Sequence, residues 1–140
     1  LLLCGRSGLG KTFLMNCVAQ RVLDLGYSVV VISAYKLVEL MRNYQFDGKG
    51  AEQVQDILTC DLLAIDDLGS EPMLRGVTLS AIYHIVNERN NANRAIVVTT
   101  NCSSDLLYEK YDDRIAARLT APSKMSVIEF MGVDVRRYVR

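Results

Sequence analysis

The chain has 140 residues, half of them hydrophobic and 23% charged, and its 16 basic and 16 acidic side chains balance to a formal net charge of zero. That length suits one domain able to bury about 70% of the surface of its extended form. The charge balance excludes a strong sequence-independent pull on nucleic acid, so any DNA contact must be local.

No apolar run approaches the ~20 residues that span a bilayer, which argues against a membrane partner. The four cysteines, Cys4, Cys17, Cys60 and Cys102, lack CxxC spacing and sit in or beside apolar segments, as reduced cytoplasmic cysteines acting as small hydrophobes do. The chain opens inside an apolar run without an initiator methionine or signal peptide, so it reads as a piece of a longer protein.

Leu1 to Cys4 is expected as a strand. It leads into Gly5-Arg6-Ser7-Gly8-Leu9-Gly10-Lys11-Thr12, which fits the P-loop spacing of Gly, four residues, then Gly-Lys-Thr. The glycines let successive backbone N-H groups point inward at phosphate oxygens, making an anion nest. Lys11 supplies a compact positive charge for the β and γ phosphates, Thr12 a hydroxyl for Mg2+, and the helix beginning here the positive end of its dipole.

Leu14, Cys17, Val18, Val22 and Leu25 recur at helical spacing, predicting a helix from about Lys11 to Leu25 with Gly26 at its C-terminal boundary. Val29 to Ile32 is a short β-branched run, expected as a strand covered on both faces. Leu37, Leu40, Met41 and Tyr44 predict a second helix, stopped by Asp47-Gly48-Lys49-Gly50, and Val54, Ile57 and Leu58 a short third.

Leu62 to Ile65 is an apolar strand ending on the pair Asp66-Asp67. A helix carrying Leu79, Ile82, Tyr83 and Val86 follows and fades between Asn87 and Asn93. Ala95 to Thr99 is the next strand, ending at Thr100-Asn101; Ser103 and Ser104 can cap a short helix, a second starts near Asp112, and Val127 to Met131 is the last strand. Strands alternating with helices predict an α/β fold: a parallel sheet covered on both faces, with chemistry at the carboxyl ends of the strands.

Three groups fall at such ends. Mg2+ is a hard cation that seeks oxygen ligands near the phosphates, which makes Asp66 a candidate metal ligand alongside Thr12. Asp67 would then face the γ phosphate, where a carboxylate can polarise an attacking water; the competing reading is a pair of solvated turn aspartates. Asn101 can both donate and accept, suiting it to hold that water or the phosphate, although a strand-end Asn is ordinary by itself. Arg114 and Arg118, four apart, share one helical face and could reach a phosphoryl group or form a solvated basic face. His84, the only histidine, lies off the apolar stripe and is given no role.

With these residues in place the chain resembles the AAA+ ATPases, and within them the bacterial replicative helicase loaders of DnaC/DnaI type. Beyond the P-loop, "FLMNCVAQRVLDLGYSVV", "CDLLAIDDLGSE", "VVTTN", "DDRIAARL" and "IEFMGVDVRR" look like that family's successive motifs in order across nearly the whole chain. The resemblance implies a three-layer P-loop NTPase sandwich with five parallel strands in the order 5-1-4-3-2, ATP and Mg2+ as cofactors, and one AAA+ domain over residues 1–140. The C-terminal helical lid and the N-terminal helicase-binding domain would lie outside this stretch.

The resemblance makes Lys11, Asp67, Asn101 and Arg118 the catalytic set, with Asn101 as sensor 1 and Arg118 as the arginine finger ahead of Arg114. It makes Thr12 and Asp66 the metal side and leaves Asp134-Val135-Arg136 as a remnant of a sensor 2 region. It also implies self-association into an open ring or helical oligomer, a replicative DNA helicase as partner, and single-stranded DNA along the helices between Tyr35 and Cys60, with Lys36, Arg42 and Lys49 as phosphate contacts. Most AAA+ proteins carry Glu where Asp67 stands, so slow hydrolysis is implied. An IstB-type transposase helper ATPase is the alternative. A small P-loop kinase would need an arginine-rich lid and an acceptor site, and a GTPase an NKxD motif; neither pattern occurs.

Overall fold

The computed structural model describes residues 1–121 and 125–137. In chain order these form β1 (Leu2–Gly5), α1 (Lys11–Asp24), β2 (Val29–Ser33), α2 (Ala34–Asp47), α3 (Ala51–Thr59), β3 (Leu62–Leu68), α4 (Thr78–Asn91), β4 (Ala95–Thr100), α5 (Ser104–Lys110), α6 (Asp113–Thr120), β5 (Val127–Phe130) and a 3-10 turn, Val135–Arg137. The strands pair in parallel in the order β2-β3-β4-β1-β5, which read from the other edge is the expected 5-1-4-3-2.

Side-chain alternation divides the core into two layers, because successive residues of a strand point to opposite faces. Leu3, Leu62, Ala64 and Val97 pack with Met15 of α1. Leu2, Leu63, Ile65, Ile96 and Val98 face the other way, onto Leu37, Val38 and Met41 of α2, Ile82 and Ile85 of α4, and Ile115 and Leu119 of α6. The site is thus carried on a three-layer frame whose central strands are buried on both sides.

Helix starts follow local chemistry. Ser33 accepts the Lys36 N-H at the head of α2, Ser103 the Leu106 N-H at the head of α5, and Asp112 the Ile115 N-H at the head of α6. The side chain of Ser104, the other expected cap, lies outside the described residues. A buried strut joins α3 to the sheet: the fully buried Arg89 guanidinium donates to the carbonyls of Ile57, Cys60, Asp61 and Ala95. These oxygens close α3 and begin β3 and β4, so one side chain of α4 pins three elements.

Several expectations shift. Of the predicted α1 stripe, Leu14, Val18 and Val22 pack half-buried against the sheet beside the buried Met15 and Ala19, while Cys17 is exposed and Leu25 lies exposed just past the helix end at Asp24. Strand β2, at the edge of the sheet, is not covered on both faces as expected; Val31 is 51% exposed. Strand β3 continues through both aspartates to Leu68. Among the described residues no helix is long and apolar enough to cross a membrane.

Candidate active site

The P-loop, the end of β3 and the end of β4 meet in an open cleft of about 590 Å³, lined by Ser7 to Phe13, Asp66, Asp67, Thr99, Asn101, Val135 and Arg136. Its floor is the loop between β1 and α1. Gly10 caps α1 with φ 88°, and the first intrahelical bond runs from the Leu14 N-H to the Gly10 carbonyl. The N-H groups of Lys11, Thr12 and Phe13 therefore have no partner within the helix, and they start the anion-binding end of α1.

Gly8, at φ 82°, takes a conformation that other residues rarely adopt, and a Cβ there would also have to displace the Asp134 carboxylate, whose oxygen would lie 2.2 Å away. That closeness arises because the segment after β5 folds back onto the loop: the Val135 N-H donates to the Gly8 carbonyl at 2.9 Å. Arg136, paired with Asp134 at 2.7 Å, approaches the Ser7 hydroxyl at 3.5 Å. The stretch that sequence placed near a sensor 2 region thus lies against the phosphate loop.

Lys11 is only 7% exposed, and its ammonium donates to the carbonyls of Gly5 and Arg6 and to Asn101 Oδ1 at 2.9 Å. All three protons are placed, so contact with a phosphate oxygen requires one of these bonds to be exchanged. Burial lowers the Lys11 pKa, against the opposing pull of the nearby Asp67 and Asp66 carboxylates.

Asp66 and Asp67 take separate partners. Asp66 Oδ1 accepts from the Thr12 hydroxyl at 2.8 Å and from the Thr99 hydroxyl at 2.6 Å. Asp67 accepts from the Asn101 amide at 2.8 Å, and its own N-H donates to Thr99 Oγ1 at 2.8 Å. One chain of contacts thus runs Thr12, Asp66, Thr99, Asp67, Asn101, Lys11. A hydroxyl and a single carboxylate side by side suit Mg2+, which keeps several waters and takes its remaining oxygens from substrate phosphates.

The structure therefore brings together Gly5 to Thr12, Asp66, Asp67 and Asn101, as the sequence implied. It places Arg118 neither at the phosphate cleft nor on a solvated basic face, the two positions its spacing left open. The half-buried Arg118 lies across α4, its guanidinium 4.8 Å over the Tyr83 ring and donating to Asn87 Oδ1 at 3.1 Å and the Tyr83 hydroxyl at 3.2 Å. Arg114 is the one that projects, with its side chain 74% exposed and a loose 3.6 Å pairing to Asp112. Lys36, Arg42 and Lys49 are exposed on α2 and the turn after it, Lys36 beside Glu39 at 3.0 Å.

Sequence reasoning missed Thr99, whose hydroxyl clamps both acids. Alternation held the signal: Leu62 and Ala64 place Asp66 on the α1 side of the sheet, and Val97 places Thr99 there beside it. Glu71, the other acid near β3, is 3% exposed and faces away from the cleft, toward Gly69 and Tyr111.

Comparison with known proteins adds four findings. A model of the family described as "IstB-like ATP binding protein" matches residues 1–121. The chain is 27% identical over 107 residues to the replicative helicase loader DnaI of Bacillus subtilis, covering 76% of this chain and 34% of the relative. It is 25% identical over 126 residues to the replicative helicase loader DnaC of Escherichia coli, covering 89% and 51%. The crystal structure of the DnaC helicase loader superposes with a TM-score of 0.81 at 21% identity, over 94% of this chain and 77% of that one, a likeness of fold. The chain spans at most about half the length of these curated relatives.

Proposed function

The chain belongs to the IstB-like ATP-binding family, and from that premise we propose that it is the ATP-hydrolysing AAA+ domain of a protein that delivers a ring helicase to single-stranded DNA. The observation that carries the reading is the contact chain from Thr12 to Lys11 through Asp66, Thr99, Asp67 and Asn101, which joins phosphate, metal and water positions in one cleft. In this reading the P-loop N-H groups and Lys11 bind the β and γ phosphates, and Thr12 and Asp66 would hold Mg2+, which when bound would supply positive charge beside the phosphates. Asp67 orients and polarises the attacking water, with Asn101 fixing the carboxylate.

Hydrolysis is slow, since Asp67 is one methylene shorter than the usual Glu, and it depends on assembly, because a finger arginine must come from a neighbouring subunit. Arg118 serves as that finger after release from Tyr83 and Asn87; Arg114, already exposed, is the competing assignment. Lys36, Arg42 and Lys49 contact DNA phosphates, and the helicase contact is assigned to protein outside residues 1–140. The family match favours a second reading with the same chemistry, a transposase helper ATPase.

Calorimetry and turnover on two variants test the chemistry. Lys11→Ala should abolish Mg-ATP binding, whereas Asp67→Asn should bind normally and lose turnover. Equal Mg-ATP affinity in Lys11→Ala and parent would refute the phosphate site. Affinity capture with the full-length protein separates the two biological readings by whether a replicative helicase or a transposase is recovered.

A further inference from the structure

Two buried polar side chains lie outside the cleft and have no part in the chemistry above. Glu71 is 3% exposed and Tyr111 2% exposed, and the Tyr111 hydroxyl donates to Glu71 Oε1. The other carboxylate oxygen accepts the Gly69 N-H at 2.8 Å. Lys110, next to Tyr111, donates to the Gly69 carbonyl, so both polar groups of Gly69 are held by the same small cluster. Burying a carboxylate and a phenol costs stability relative to apolar residues of similar shape, so the pair calls for a role in fixing geometry.

The two residues sit at opposite ends of a short route. On one side, Gly69 is two residues from Asp67, the Ser70 N-H donates to the Asp67 carbonyl at 3.1 Å, and the Thr100 hydroxyl donates to the Leu68 carbonyl at 2.6 Å. Asp67 has φ 56°, a conformation uncommon outside glycine that needs support from its surroundings, and Gly69 follows at φ 108°, which glycine takes freely. On the other side, Tyr111 occupies the junction between α5 and α6 and precedes Asp112, which caps α6 through the Ile115 N-H at 3.0 Å. Helix α6 carries both Arg114 and Arg118.

We propose that Glu71 and Tyr111 form a positioning joint that couples the Asp67 loop to α6, so that movement of the arginine helix and alignment of the water-polarising carboxylate occur together. The proposal rests on the ATPase reading for its rate consequence and on geometry alone for its mechanical one. When α6 shifts to present an arginine to a neighbour, the Tyr111 hydroxyl pulls on Glu71, and Glu71 on Gly69. Neither residue touches nucleotide.

The test uses the chain with Tyr111→Phe, Glu71→Ala and Glu71→Gln. Tyr111→Phe keeps the ring and its packing and loses only the donor; Gln keeps an acceptor for the Gly69 N-H and an amide that can donate to the phenol oxygen. Tyr111→Phe and Glu71→Ala should lower kcat about tenfold while Mg-ATP affinity and KM stay within about twofold, and Glu71→Gln should restore most of kcat. Amide hydrogen exchange supplies a readout independent of turnover. Nucleotide should slow exchange at residues 67–71 and 113–120 in the parent, but only at 67–71 in Tyr111→Phe.

Parental kcat with the parental exchange pattern in Tyr111→Phe would overturn the joint, as would parallel loss of affinity and turnover. A parent that binds no Mg-ATP would defeat the ATPase reading instead. The joint would still stand or fall on nucleotide-free exchange, where Tyr111→Phe should raise exchange at 67–71 and 113–120 together, and a rise at one segment alone would refute the coupling.

Discussion

Replacing Thr99 with valine removes one hydroxyl and keeps the side-chain shape. That hydroxyl donates to Asp66 Oδ1 at 2.6 Å and accepts the Asp67 N-H at 2.8 Å, and the residue is 1% exposed, so water cannot readily take its place. A hydrogen bond to a charged group contributes about 1.5–3 kcal/mol and a neutral one about 0.5–1.5 kcal/mol. Asp66 keeps its Thr12 contact and is half-buried, which softens the first loss.

The expected destabilisation by Thr99→Val is therefore about 2–3 kcal/mol, or a fall in Tm of about 6–12 °C for a chain of this size. Urea unfolding followed by circular dichroism, with an unchanged m-value, measures it. Thr99→Ser, which retains the hydroxyl, should lose about 1 kcal/mol for the buried methyl. A Thr99→Val midpoint that corresponds to less than about 0.5 kcal/mol would refute the idea that this hydroxyl holds the two acids in place.

Arg89→Ala should cost about 3–5 kcal/mol in urea unfolding, because it removes the guanidinium shared by the Ile57, Cys60, Asp61 and Ala95 carbonyls and leaves Cys60 only a 3.5 Å contact with Arg94; Arg89→Lys should recover only part, lacking the planar fork, and a loss below about 1 kcal/mol in Arg89→Ala would contradict the strut. Lys11 has a folded pKa below its ordinary 10.5, so it hinders folding while charged and the hindrance is relieved as pH rises from the folded pKa toward 10.5. Bound triphosphate should raise that pKa again, so Mg-ATP binding should take up protons as pH approaches 10.5; calorimetry in two buffers of different ionisation heat reads the uptake, and equal enthalpies would count against it. Of the two arginines, Arg118→Ala should bind ATP and lose about 10^3-fold or more in assembled turnover, with partial recovery on mixing with Asp67→Asn. If Arg114→Ala loses the rate and Arg118→Ala keeps it, the exposed arginine is the finger.

The strand segments and the phosphate loop were legible because both depend on local patterns, namely glycine spacing at residues 5–10, apolar and β-branched runs, and turn residues between them; the order of the strands came only from the resemblance to the AAA+ ATPases. The exposure of Val31 was not legible in the run itself, since Val29 to Ile32 reads like any buried strand; the order that the resemblance implied puts this strand at the edge, where it pairs with β3 alone. The core-facing side of α1 was read correctly at Leu14, Val18 and Val22 but drawn too far round at Cys17 and short of Met15, because all suit a periodic stripe and contact with Leu3 and Ala64 decides among them. Arg89 was hidden in an asparagine-rich run that reads as a fading helix; its burial depends on carbonyls about 30 residues earlier in the chain, which no local window contains. Arg118 drew its expected pose from spacing along α6, whereas Tyr83 and Asn87 on α4 set the pose it has.

The adjacent aspartates pose a problem that the sheet itself resolves. In a regular strand neighbouring side chains point to opposite faces, so a site using both Asp66 and Asp67 should not form. Leu62 and Ala64 lie on the α1 side, and Asp66 follows them there to meet Thr12. By the same alternation Asp67 belongs with Leu63 and Ile65 under the opposite helices. The register changes at this point: Ile65 pairs with Val98 and Leu68 with Thr100, so three steps along β3 match two along β4. The extra residue lets Asp67 adopt φ 56°, a left-handed conformation uncommon outside glycine and favoured among other residues by Asp and Asn, and its carboxylate meets Asn101 instead of entering the core. Thr99 fastens the irregularity by bonding both residues. The paired carboxylates are thus a consequence of a bulge, and Asp67 serves the cleft because the strand miscounts by one beside it.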